Sequence, residues 1–242
     1  SSQAVLWCPR ATVKRCKLRN RRRPRAQSAA NFRHMLHSHR VLVLRKELSG
    51  ESYLKLHLLG PELGVRLCMK RLATKTQSLK TAPDLFDTAE VQTETSKHGT
   101  AQFISDYQLS VRRNEIGLNY RALRYASELS NLLILNGSHM ADLPALYQLT
   151  ERSLDAFAER REPSVVYFKS LYILLKDEGY PVRESWWAQF PKQLRETTRS
   201  LLAEPSPEDL SKEDRESCEV AIRNLLQWLL RETDLSLPDE VL

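Results

Sequence analysis

Glycine is scarce: the 242 residues contain seven, and none sits in a GxGxxG or GxxxxGK[ST] arrangement. Such arrangements let a backbone loop wrap phosphates, so their absence argues against a P-loop or dinucleotide site. Cysteine is scarcer still, and Cys8, Cys16, Cys68 and Cys218 are scattered with no CxxC among them. Their spacing carries neither a zinc knuckle nor a disulfide framework, and a reducing, cytoplasmic compartment is the simplest expectation. Apolar runs are short. Val41, Leu42, Val43 and Leu44, or Leu132, Leu133, Ile134 and Leu135, fall far below the ~20 residues that cross a bilayer. No basic n-region followed by a long apolar stretch and a small-residue cleavage site is visible, so secretion has no support in the sequence. With 41% hydrophobic and 28% charged residues, the composition is that of a globular protein.

The formal charge of +7 hides an uneven distribution. Residues 1–34 carry ten Lys or Arg and no acid, residues 35–80 carry nine bases and three acids, and residues 81–242 carry 18 bases and 27 acids. One lobe is therefore basic and the other acidic, a division suited to holding phosphates with the first and protein segments with the second. In residues 1–34, Arg19, Arg21, Arg22, Arg23 and Arg25 crowd around Pro24. Like charges at that density repel, and the segment reads as a disordered basic extension. Met35 stands just before the first strand-like run, so the functional protein is expected to begin near it.

Between residues 40 and 113 the apolar residues recur with the period of two that marks half-buried strands. Val41 to Leu44 form one short run. Leu54, Leu56 and Leu58 alternate with Lys55 and His57, and Val65, Leu67 and Met69 alternate with Arg66, Cys68 and Lys70. A weaker, Thr-rich strand is expected over about 86–95. In a fifth strand, Phe103, Ser105, Tyr107, Leu109 and Val111 are expected to face away from Gln102, Ile104, Asp106 and Gln108. Gly50, Gly60-Pro61, Gly64 and His98-Gly99 punctuate these strands as turns. Five short strands of this kind suit a small Greek-key barrel. Tyr53, Phe86, Phe103 and Tyr107 read as its core.

Beyond Arg113 the period becomes helical. Leu118, Ala122, Tyr125, Leu129, Leu132 and Leu133 form one stripe, closed by Asn136-Gly137. Asp142 is placed to cap a second helix with Pro144 in its first turn and Leu146, Leu154 and Phe157 inward. Pro163 opens a third, with Val165, Phe168, Tyr172 and Leu175 on one face, and Gly179-Tyr180-Pro181 ends it. Ser206-Pro207-Glu208-Asp209 predicts the start of a fourth, reaching Leu230. Gly137-Ser138-His139-Met140 looks like the scar of a cleaved expression tag, but the helical pattern is coherent on both sides of it. The fold class is α+β, a barrel followed by a helical bundle. Its expected parts are the basic extension 1–34, a barrel domain 35–113 and a helical domain 114–242.

No chemistry of bond making stands out. His34, His37 and His39 form the one histidine cluster, in an acid-free stretch that offers no mixed ligand set, and no metal or other cofactor is expected. His57 reads as a surface histidine on a strand. Cys68 and Cys218 read as small packed hydrophobes. No GxSxG or HExxH pattern is present, and Glu208-Asp209 and Glu213-Asp214 belong to exposed helix surface, so the chain is not expected to be an enzyme. The informative stretch is 64–80, where a strand leads into a loop rich in bases and hydroxyls and free of acids. Lysine and arginine neutralise phosphates, and hydroxyls and loop amides bond phosphate oxygens without reading sequence. The residues taken alone leave open a nucleic-acid binder, DNA or RNA, or an interaction adaptor whose basic loop is merely solvated.

Arg40 to Arg45, Gly50-Glu51-Ser52, Leu59-Gly60-Pro61-Glu62-Leu63-Gly64 and the basic loop 70–80 resemble the start of RecO, the bacterial recombination mediator. Asn119-Tyr120-Arg121, then Leu143-Pro144-Ala145-Leu146-Tyr147, then Phe168-Lys169-Ser170-Leu171 leading to Gly179-Tyr180-Pro181, are similar to that family's helical part. The resemblance implies an OB-fold barrel over 35–113 and a helical domain. It also implies binding of single- and double-stranded DNA, annealing of complementary strands, and loading of RecA, with RecR, onto strands coated by single-strand-binding protein. By that resemblance Arg66, Lys70, Arg71, Lys75 and Lys80 are the candidate DNA contacts. Tyr167, Phe168, Lys169, Leu171 and Tyr172 are the candidate seat for the acidic, apolar-ended tail of single-strand-binding protein. Many relatives carry a zinc-binding cysteine pair after the Gly-Tyr-x-Pro element. Here Glu184-Ser185-Trp186-Trp187-Ala188-Gln189 stands in that place, so zinc is expected to be absent and the two tryptophans to fill the space by packing.

Overall fold

The computed structural model describes residues 38–72, 82–96, 99 and 101–238. The expected basic extension 1–34 and most of the basic loop, with Lys75 and Lys80, lie outside the described residues. Five strands, β1 (Ser38–Ser49), β2 (Tyr53–Gly60), β3 (Gly64–Arg71), β4 (Thr88–Thr95) and β5 (Gln102–Val111), close into a barrel in the order β1-β2-β3-β5-β4. All neighbours are antiparallel except β3 and β5, which run parallel and share only the pairs Cys68 with Gln102 and Met69 with Phe103. This is an OB-like barrel. A helical part follows: α1 (Asn114–Gly117), α2 (Tyr120–Asn136), α3 (Leu143–Ala158), α4 (Pro163–Asp177), a π-turn at Val182–Trp186, α5 (Trp187–Gln189), a 3₁₀ turn at Lys192–Leu194, α6 (Arg195–Ala203) and α7 (Lys212–Glu232). Barrel and helices belong to one compact unit, so the change of period at Arg113 marks a change of architecture inside it.

β1 explains the join. Val41 and Val43 enter the barrel interior with Leu54, Leu56, Leu58, Cys68, Ala89, Val91, Ile104 and Tyr107, while Leu42 and Leu44 enter a second cluster shared with the helices. A strand buried on both faces needs apolar side chains at consecutive positions, which is why the run 41–44 is continuous. Leu59 of β2 and Phe86 join Leu42 and Leu44 in the helical cluster.

Polar bonds lock the same seam. Arg113, 4% exposed, donates to Asp155 of α3 at 2.7 Å, to the Phe86 carbonyl at 2.7 Å and to Thr88 Oγ1 at 2.9 Å. Phe86 holds a left-handed φ of 64°, uncommon for a bulky residue, and its N–H donates to the Val43 carbonyl at 2.8 Å. Next to it, fully buried Asp87 accepts from the Tyr107 hydroxyl at 2.8 Å and from Arg112 at 2.8 and 3.1 Å. The Thr-rich strand therefore begins at Thr88, because Phe86 and Asp87 are occupied in this corner.

Two strand faces differ from the sequence expectation. On β3 the inward phase is Cys68, opposite Leu56, and Leu67 is 49% exposed. Alternation alone could not choose between the two sets because both contain apolar residues. On β5 a register shift against β4, near Gln92 and Thr93, inserts one residue. Ile104 and Tyr107 are in consequence both inward, and Phe103 lies outward.

The helices follow their caps. Asn119 and Asp142 accept from the first turns of α2 and α3, the latter through Ala145 N–H at 2.9 Å. Leu118, expected on the α2 stripe, precedes that helix and is 80% exposed. The last helix starts later than Ser206. Its N-cap is Ser211, which accepts from the Asp214 N–H at 3.0 Å. Residues 206–209 serve α4 instead: the Pro207 carbonyl accepts from Glu162 N–H at 2.7 Å, and Arg215 bridges Asp209 and Glu162. Trp186, fully buried, packs against Phe168, Tyr172, Trp187 and Phe190 and donates to Asn224 Oδ1 at 2.9 Å.

Gly137 ends α2 directly against β3. A Cβ there would lie 2.3 Å from Val65 Cγ2 and 2.6 Å from the Leu133 carbonyl, and Met140 is buried in the shared cluster. The Gly-Ser-His-Met stretch is thus built into the seam. Gly137→Ala should lower stability by about 1–3 kcal/mol through overpacking, with part of the loss recovered in Gly137→Ala/Val65→Ala. Thermal unfolding checks this, and an unchanged Gly137→Ala midpoint would show that the helix end does not press on the barrel.

Candidate nucleic-acid interface

The basic lobe divides once side chains are placed. Arg40 is held at the seam, donating to the Tyr147 hydroxyl at 3.1 Å and to Glu151 at 3.0 Å. Burial there pushes the Tyr147 phenol up to about 12. Arg45 pairs with Glu47 at 2.6 Å and Lys46 with Asp84 at 2.7 Å. These three cations are matched by the chain's own carboxylates.

Arg71 and Lys55 are not. Both are in the outward phase of their strands, Arg71 opposite Tyr53 and Lys55 opposite Met69, and among the described residues no carboxylate pairs with either. His57 lies opposite Leu67 on the same face. Burial first, and then the positive charge of Arg45, hold its imidazole below the ordinary value.

The five candidate DNA contacts do not share one face. Arg71 is outward and exposed. Arg66 is exposed too, but it pairs with Leu58 in the opposite phase, where β3 has run beyond its pairing with β5. Lys70, opposite Leu54, is half-buried, and its ammonium sits 5.8 Å from the centre of the Tyr107 ring. Burial lowers its pKa. Lys75 and Lys80 lie outside the described residues.

Lys55, between Leu54 and Leu56, joins Arg71 on the outward face, a position that the alternation of β2 already implies. Two of the aromatics expected in the barrel core lie outside it. Tyr53 and Phe103 are half-buried on the outward face, ring centres 6.0 Å apart at 65°. Only Tyr107 is in the barrel core, and Phe86 belongs to the cluster shared with the helices.

On α4, Tyr167, Phe168 and Leu171 are at most 1% exposed and packed within the helical core. Their side chains cannot reach a partner without unpacking it. Lys169 donates to the Glu204 carbonyl. Tyr172 alone of the five lines an open groove of about 760 Å³, together with Lys176, Tyr180, Arg183, Trp187 and Arg199. The Arg199 guanidinium sits 5.9 Å from the centre of the Trp187 ring.

Burial pushes the thiol of Cys68 up to about 11 and that of Cys218 up to about 12, away from nucleophilic thiolate behaviour. Among the described residues no three His, Cys, Asp or Glu side chains converge as metal ligands, and no helix is long and apolar enough to cross a membrane. Comparison with protein-family models and with curated proteins finds no match to this chain.

A polyanion on the outward β2–β3 face would displace counterions according to the number of phosphates neutralised. Lys55→Ala and Arg71→Ala should each lower the slope of log affinity against log salt for single strands by about 0.7. Arg66→Ala should change it less, because its side chain leaves the sheet in the opposite phase. A salt titration of single-stranded DNA binding checks this, and slopes unchanged in both outward variants would remove the face from consideration.

Proposed function

We propose that the chain is a non-enzymatic DNA repair and recombination mediator of the RecO kind. In this reading it binds single- and double-stranded DNA on the barrel, anneals complementary strands and, with RecR, helps load RecA onto strands coated by single-strand-binding protein. The observation that carries the reading is an OB-like barrel whose outward β2–β3 face holds Lys55 and Arg71 without carboxylate partners among the described residues. Annealing follows from the same electrostatics: a protein that neutralises phosphates on two strands at once removes much of their mutual repulsion.

The helical groove extends the reading to a protein partner. Aromatic Tyr172 and Trp187 beside cationic Lys176, Arg183 and Arg199 offer an acidic, apolar-ended tail both a surface for its hydrophobic end and charge for its carboxylates. This seat replaces the buried Tyr167, Phe168 and Leu171. A cytoplasmic location belongs to the same proposal.

A strand-annealing assay tests the function. The full chain should accelerate pairing of complementary single strands, including strands coated with single-strand-binding protein, and the acceleration should decline steeply as salt rises. No acceleration, together with no salt-dependent DNA binding, would return the chain to the reading of an interaction adaptor with an OB-like barrel.

A further inference from the structure

Tyr53 and Phe103 form a half-buried pair on the outward face, in edge-to-face contact with each other. Neither enters the barrel's interior cluster or the cluster shared with the helices. They are brought together by the parallel contact of β3 and β5: Tyr53 is opposite Arg71 on β3, and Phe103 is opposite Met69. Met69 in turn is opposite Lys55. The outward surface therefore alternates aromatic or thioether groups with two cations that have no carboxylate partner among the described residues. Its acidic neighbours are Glu94, opposite Phe103 on β4, and Glu47, which is occupied by Arg45.

Fuller burial of the two aromatic rings would favour the fold by area alone, so keeping part of each ring at the surface beside cations suits a further use. Nucleobases supply one. A flat, sequence-tolerant π surface stacks on such rings while Lys and Arg hold the backbone between the bases. Duplex DNA cannot use the rings in this way, because its bases are already stacked on one another.

We propose that Tyr53 and Phe103 are a stacking platform for unpaired bases, flanked by Lys55 and Arg71 as phosphate contacts, and that this face therefore prefers single-stranded DNA to duplex. The inference rests on the DNA-binding reading above and adds the form of DNA that the site selects.

The test is fluorescence anisotropy of the full chain with labelled oligo(dT) and with a labelled hairpin duplex at one fixed salt concentration. Tyr53→Leu and Phe103→Leu keep an apolar side chain and remove the π surface. Each should weaken oligo(dT) binding by roughly ten-fold, leaving duplex affinity and the salt slope unchanged. Tyr53→Phe should retain oligo(dT) affinity. Should the leucine variants fail to fold, Tyr53→Trp serves instead: oligo(dT) should quench its indole fluorescence and duplex should not. Equal loss for oligo(dT) and duplex, no loss for either, or an unquenched indole overturns the platform while leaving DNA binding standing. A wild-type chain that binds neither probe overturns both.

Discussion

The double burial of β1 is the constraint on which the rest of the structure depends. Val41 and Val43 must face the barrel interior for the sheet to close, and Leu42 and Leu44 then point outward, where water would reach them. Leaving each of those leucines exposed would forfeit about 1.5–3 kcal/mol. The helical layer covers them, and in doing so it takes the β1 side of the barrel out of use. Arg113, buried among Asp155, Thr88 and the Phe86 carbonyl, turns this apolar preference into a fixed docking geometry. Among the described residues, the outward positions that enter neither apolar cluster are Tyr53, Lys55 and His57 of β2, Leu67, Met69 and Arg71 of β3, and Phe103 at the start of β5.

The same division sorts the cations. Arg40 lies on the covered side and is consumed by Tyr147 and Glu151, and Arg45 and Lys46 have carboxylates of their own. Lys55 and Arg71 lie on the open side and have none among the described residues. A net charge of +7 is thus a poor guide to where a polyanion would bind. The better guide is the set of cations left over after internal pairing. On the proposed reading, the open face meets DNA and the helical groove meets protein, two surfaces carried by one compact unit.

Much of this was legible in the sequence. A continuous apolar run marks β1, period-two alternation marks β2, β3 and β5, Thr-rich β-formers mark β4, and Asp142, Pro163 and Asn136-Gly137 mark the ends of the main helices. The rest depends on partners distant along the chain. Both phases of β3 contain apolar residues, so only pairing with Leu54, Leu56 and Leu58 decides that Cys68 goes in and Leu67 out. On β5 a single inserted residue, set by the register of β4, moves Phe103 to the surface. Ser206 has the chemistry of a cap but loses to Ser211, because Pro207 and Asp209 are engaged by Glu162 and Arg215. The helical candidates divide for a related reason: aromatic and apolar residues on a helix suit a docking groove or a core equally well, and Tyr167, Phe168 and Leu171 are core while Tyr172 lines the groove.

The proposed seat for single-stranded DNA is the outward β2–β3–β5 face. Amide hydrogen exchange of the full chain, measured with and without oligo(dT), addresses it directly. Exchange should slow in β2, β3 and the first residues of β5, with α3 and α4 unchanged. Protection confined to the helices, or no change in β2 and β3 at saturating oligonucleotide, would contradict it.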